Sequence, residues 1–144
     1  MDANLRTTLF LACHEAVLRF FAALDAARMD DVANSFAADG IWHRQGAALR
    51  GPDGVAKALA ARPAGRITAH LVQNFIADFD DEATARAHYL VLTYRHDAPA
   101  ASTAPGPMGI PYSIAEYDDR LCRREDGDRW LVLERRARNI FINA

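Results

Sequence analysis

Between Ile67 and His96 the chain reads ITAHLVQNFIADF, then DDE, then ATARAHYLVLTYRH: two long strand-forming runs joined by an acidic turn. Simple alternation puts Thr68, His70, Val72, Asn74 and Ile76 on one face of the first run and Ile67, Leu71, Phe75 and Phe79 on the other. In the second run His88, Leu90, Leu92 and Tyr94 share a face. A hairpin wetted on one side alternates apolar with polar residues, but here both faces carry apolar groups. One face is therefore expected to be covered and the other to line an enclosed space, with His70 pointing into it.

At 144 residues, 51% of them hydrophobic, the chain has the length of one domain, 1–144, with enough material for a substantial core. A formal net charge of -2 supplies no basic field for nucleic acid or an anionic membrane, which leaves a small molecule or further copies of the chain as partners. Two cysteines, Cys13 and Cys122, give no disulfide framework, and no basic n-region followed by an unbroken apolar run opens the sequence; a reducing cytoplasm is the expected location. Arg6, His14, Glu15 and Arg19 interrupt the first apolar segment, so no bilayer span is expected.

In chain order, Leu5, Leu9, Cys13, Val17, Phe20 and Leu24 recur at helical spacing and predict a helix from about Asn4 to Ala27, with Asn4 as cap. Asp25 lies near its C-terminal end, where the helix dipole disfavours a carboxylate; it must be solvated or held by a specific donor. A short helix over Asp30 to Ala38 is expected to stop at Asp39-Gly40, and Ile41 to Gln45 to form a short strand. Pro52 suits a helical first turn, Val55 and Leu59 give that helix its stripe, and Pro63 stops it. Asp97 to Pro111, rich in Ala, Pro, Ser, Thr and Gly, reads as a long loop able to act as a lid. Two strands, Tyr112 to Arg124 and Arg129 to Ile142, then meet at a turn over Glu125 to Asp128. Helices followed by mostly antiparallel strands make an α+β fold.

The segments LDAARMDDVANSFAADGIW, LRGPDGV, AHLVQNF and YDDRLCRREDGDRW, taken in that order, resemble the SnoaL-like group of the nuclear transport factor 2-like superfamily over nearly the whole chain. The resemblance implies a cystatin-like cone in which a curved sheet wraps a long N-terminal helix around one pocket, and dimers or trimers built on the sheet's outer face. An open curved sheet is expected to leave its outer face and edges apolar, here at Phe75, Phe79, Tyr89, Val91 and Trp42. The resemblance spans dehydratases, isomerases, hydrolases, cyclases and non-enzymatic binders. The layout is most similar to the scytalone dehydratases, which work without a cofactor. Asp25 matches their helix-end aspartate and His70 their central-strand histidine. Their two pocket tyrosines fall at Leu24 and His43, their second histidine at Tyr94, and their serine and asparagine near Glu116 and Asp118, so those residue types are not kept.

The residues themselves point to acid–base chemistry. A histidine titrates near neutrality, and a carboxylate on its far nitrogen fixes the tautomer and stabilises the imidazolium. His70 is thus the candidate base or acid and Asp25 its orienter, with Tyr94 and His43 as further donors. Leu24, His88, Leu92 and Asp118 are candidate contacts for a small apolar or aromatic ligand. Glu116 reads better as one end of a structural ion pair. Metal binding is not expected, since His88, His96 and His70 have no Cys or carboxylate at ligand spacing, and GPDG lacks the Lys-Ser/Thr of a phosphate loop. Two functions stay open: a cofactor-independent dehydratase or isomerase acting on a ring-containing substrate, or a ligand-binding or assembly module of the same fold.

Overall fold

In a computed structural model, which describes residues 1–124 and 129–143, the first helix is capped two residues ahead of the expected position. Asp2, not Asn4, accepts the Leu5 amide on Oδ1 at 2.8 Å and starts α1 (Ala3–Asp25). Its apolar side, Leu9, Cys13, Val17, Phe20, Phe21 and Leu24, is buried against the sheet. By length and composition α1 could cross a membrane, contrary to the expectation from its charges. Glu15 and Arg19 are too few to break its apolarity, and they pair with each other on the exposed side at 2.6 Å.

After α1 come α2 (Met29–Ala33), β1 (Phe36–Arg44), β2 (Ala47–Arg50), α3 (Gly51–Leu59), β3 (Arg66–Phe79), β4 (Thr84–Asp97), β5 (Ser113–Arg123) and β6 (Trp130–Ile142). The six strands form one sheet in the order β2-β1-β6-β5-β4-β3, parallel only between β1 and β6. The architecture is α+β, as expected. The turn expected over Glu125 to Asp128 lies outside the described residues. Helix α2 stops at Ala33 and β1 starts at Phe36, well before the expected Ile41, because Phe36 finds a strand partner in Val132 and a buried place in the core. Residues 98–112 form no regular element and are mostly exposed.

One residue changes the reading of the central hairpin. Asn74 adopts φ 55°, in the left-handed region that Asn tolerates, and the β3–β4 register shifts between Gln73 and Ile76. Alternation slips there. Phe75 and Phe79 turn in to pack on the core with Ala77, and Ile76 turns out, 58% exposed. On β4 the inward residues are Ala85, Ala87, Tyr89 and Val91, all buried, so Tyr89 and Val91 do not belong to an outer face, and neither does the buried Trp42.

Beneath the sheet's inner face lies a buried ionic cluster. Arg135 donates from Nε and Nη2 to the two Asp119 oxygens at 2.9 and 2.7 Å, and Tyr89 Oη donates to Asp119 Oδ2 at 2.7 Å. The Arg135 guanidinium lies 4.1 Å from the Phe20 ring centroid, which adds a cation–π contact. Burial opposes its charge, but Asp119 outweighs that and holds the arginine protonated. The cluster fastens β4, β5 and β6 under α1.

Candidate functional site

Helix α1 ends where it does because Ala27 takes φ 56° and the Arg28 amide closes back on the Ala23 carbonyl at 2.9 Å. That stop leaves Asp25 as the last helical residue, with its carboxylate directed at β3. Three donors meet it there. The His70 backbone amide donates to Oδ2 at 2.9 Å, Thr68 Oγ1 donates to Oδ1 at 2.8 Å, and His70 Nδ1 lies 2.5 Å from Oδ1. Burial raises the Asp25 pKa, but the hydrogen bonds from His70 and Thr68 outweigh it, so the net shift is downward and the group is ionised. An ionised carboxylate only accepts, so Nδ1 carries the proton in this contact, and Nε2 is the ring nitrogen left without a hydrogen-bond partner among the described residues. The Phe21 ring, 5.3 Å away and tilted 32°, packs against the imidazole.

His70 lines an open cavity of about 690 Å³ bordered by the end of α1, the end of α3 and the inner sides of the sheet strands. Leu24, Thr93 and Tyr117 line it too. Tyr117 stacks on Tyr89 with centroids 5.4 Å apart, and burial raises its pKa, so it stays a phenol able to donate. Its hydroxyl makes no hydrogen bond within the described residues. Thr68, which donates to Asp25, in turn accepts from Arg62 Nη2 at 3.1 Å, so a chain of side chains runs Arg62, Thr68, Asp25, His70.

Asp25, His70 and Leu24 are thus brought to one place. His43 borders the cavity, but its Nε2 lies 3.1 Å from Glu134 Oε1, which also accepts from Arg136. Tyr94, Leu92, His88 and Asp118 are elsewhere. They occupy the opposite parity on β4 and β5 and so face away from the cavity; the inward positions are held by Val91, Thr93, Arg95 and Tyr117. His88 Nδ1 pairs with Asp118 Oδ1 at 2.8 Å beside an outer groove of about 250 Å³. Glu116 is the structural ion-pair member anticipated for it, held by Arg138. Tyr117, Thr68 and the arginines Arg44, Arg62, Arg66 and Arg95 are among the cavity groups that sequence reasoning did not nominate. The signal for Tyr117 was its shared parity with the small residues Ser113 and Ala115, which mark the inner face of β5. Among the described residues no group of three or more His, Cys, Asp or Glu side chains could hold a metal ion.

Comparison with known proteins places this geometry in a wider set. A SnoaL-like domain matches residues 6–136. Among solved structures, a Novosphingobium aromaticivorans protein provisionally named a scytalone dehydratase superposes with a TM-score of 0.80 at 20% identity, covering 99% of this chain and 91% of that one. The hexachlorocyclohexane dehydrochlorinase LinA-type3 of Novosphingobium barchaimii gives 0.76 at 15% identity, with 99% and 93% covered. A Catenulispora acidiphila protein in complex with S-DNPA gives 0.72 at 18% identity, with 92% and 94% covered. A search of curated proteins finds no match. Identities this low establish a shared fold, and the family rests on the domain match: this chain belongs to the SnoaL-like family of the nuclear transport factor 2-like superfamily.

Proposed function

We propose that the chain is a cofactor-independent lyase or isomerase in which His70 moves a proton on a small ring-containing substrate. The observation that carries this reading is the Asp25–His70 Nδ1 contact of 2.5 Å on the wall of a 690 Å³ cavity. In the reaction so inferred, Nε2 takes a proton from a carbon next to a carbonyl while the Tyr117 hydroxyl donates to the carbonyl oxygen, and Asp25 stabilises the resulting imidazolium. In a dehydration the imidazolium then protonates the departing hydroxyl, which leaves as water as the double bond forms. In an isomerisation the proton returns to another carbon. The names of two similar proteins, a dehydratase and a dehydrochlorinase, describe eliminations of this general kind and support the reading.

The test follows deuterium incorporation from heavy water into a panel of cyclic ketones and hydroxyaromatics. Wash-in by the native chain is expected, with a loss of about 10²–10⁴-fold in His70→Asn, the usual contribution of a positioned acid–base group. Asp25→Asn should lower the rate through the tautomer while leaving ligand affinity largely in place. Saturable binding without any exchange, across the panel, would instead favour a ligand-binding module. The complex of a relative with S-DNPA favours keeping that second reading.

A further inference from the structure

Four arginines, Arg44, Arg62, Arg66 and Arg95, line the same cavity as His70. Two carboxylates answer them, and both are committed. Asp25 serves His70 and Thr68. Asp97 accepts from Arg66 Nε at 2.7 Å and Arg95 Nη2 at 2.7 Å, so one carboxylate holds two guanidinium groups in place. Arg62 spends Nη2 on Thr68 Oγ1 and, more weakly, on the Arg66 carbonyl. Arg44 stacks with Cζ 5.1 Å from the Trp42 centroid and makes no hydrogen bond or ion pair among the described residues.

A stem packed on tryptophan is ordinary, but an apolar residue would pack there without bringing a charge toward three others. Burial lowers the Arg44 pKa, Tyr117 acts in the opposite direction, and Arg66 and Arg95 lower it further, so the net shift is downward, as expected where positive charge is gathered without enough counter-charge. Arg62 shows the same direction, from burial and then from Arg66. The cavity wall is therefore electropositive, and the group left uncommitted is a planar two-pronged donor.

We infer that the cavity takes a substrate bearing a carboxylate, bound by the Arg44 guanidinium within the field of Arg62, Arg66 and Arg95. This deepens the proposed function, since it rests on the same cavity being the substrate site. A carboxylate fits better than a phosphate monoester because Arg44 alone has its full fork free, which matches one pair of coplanar oxygens.

The test is calorimetric, and needs no turnover. 2-Naphthoate, 2-naphthamide and 2-naphthyl phosphate are titrated into the native chain, Arg44→Met, Arg44→Gln and His70→Asn, each checked by circular dichroism for an intact fold. Naphthoate should bind at least about tenfold more tightly than the amide, a loss typical of one charge-assisted pair. Added salt should shrink that preference. Both Arg44 variants should erase it and His70→Asn should keep it, so an inactive chain can still carry the anion site. Equal binding of acid and amide, no saturable binding of either, a preference that survives both Arg44 variants, or tighter binding of the phosphate would each overturn the inference. So would a preference lost in His70→Asn and kept in Arg44→Met.

Discussion

Asp25 combines two roles that are usually separate. Its place at a helix C-terminus costs electrostatic energy, and three hydrogen bonds from β3 offset that cost. Because its folded pKa lies below the unfolded carboxylate value of about 3.9, it contributes stability that is fully present above that pH and is lost as the pH falls through the lower folded value. Urea midpoints measured through this acid window should therefore fall less steeply in Asp25→Asn than in the native chain; parallel slopes would contradict the assignment. The pairing with His70 was readable from sequence, since a carboxylate at a helix end and a histidine in an apolar strand each lack what the other supplies. Thr68 and the His70 backbone amide were not readable, because their part depends on how the helix end meets the strand.

At the scale of elements, α1, α3 and the central hairpin follow from periodicity, whereas the faces of that hairpin do not. A single left-handed Asn74 reverses the parity of half of β3, and nothing in the spelling Gln73-Asn74-Phe75 distinguishes it from an ordinary strand residue. On β4 both parities carry apolar groups, so Tyr94 and Leu92 looked as good as Tyr89 and Val91. The small residues Ala85 and Ala87, both buried, mark the true inner side. The Arg135–Asp119 pair was equally hidden, because charged residues in closing strands are usually solvated. Arg135→Met should lower unfolding free energy by about 3–5 kcal/mol in denaturant titrations, since it strands Asp119 in the core. A change under 1 kcal/mol would mean that water reaches the carboxylate, about the scale of an exposed pair.

For the whole molecule, the expectation of dimers or trimers moves to different residues. Phe75, Phe79, Tyr89, Val91 and Trp42 pack inward, but Leu71, Leu92, Ile114 and Phe141 are register partners in succession across β3, β4, β5 and β6, an apolar row on the outer face. Leu71 is 43% and Phe141 67% exposed. Sedimentation at micromolar concentration should give more than one chain per particle, and Leu71→Glu with Phe141→Glu should return it to a single chain; a native particle of one chain would refute this. The order of elements was legible because it depends on patterns along the chain, while the contents of the cavity depend on which strand edge each arginine reaches. The Asp25–His70 contact joins positions forty-five residues apart, the last turn of the first helix and the edge strand β3 of the sheet. Its single shared proton exchanges freely with water when the two segments are apart and is sheltered when they meet. One downfield line in a proton magnetic resonance spectrum would then count the molecules whose helix has docked, and its growth during refolding would time that docking without any added label.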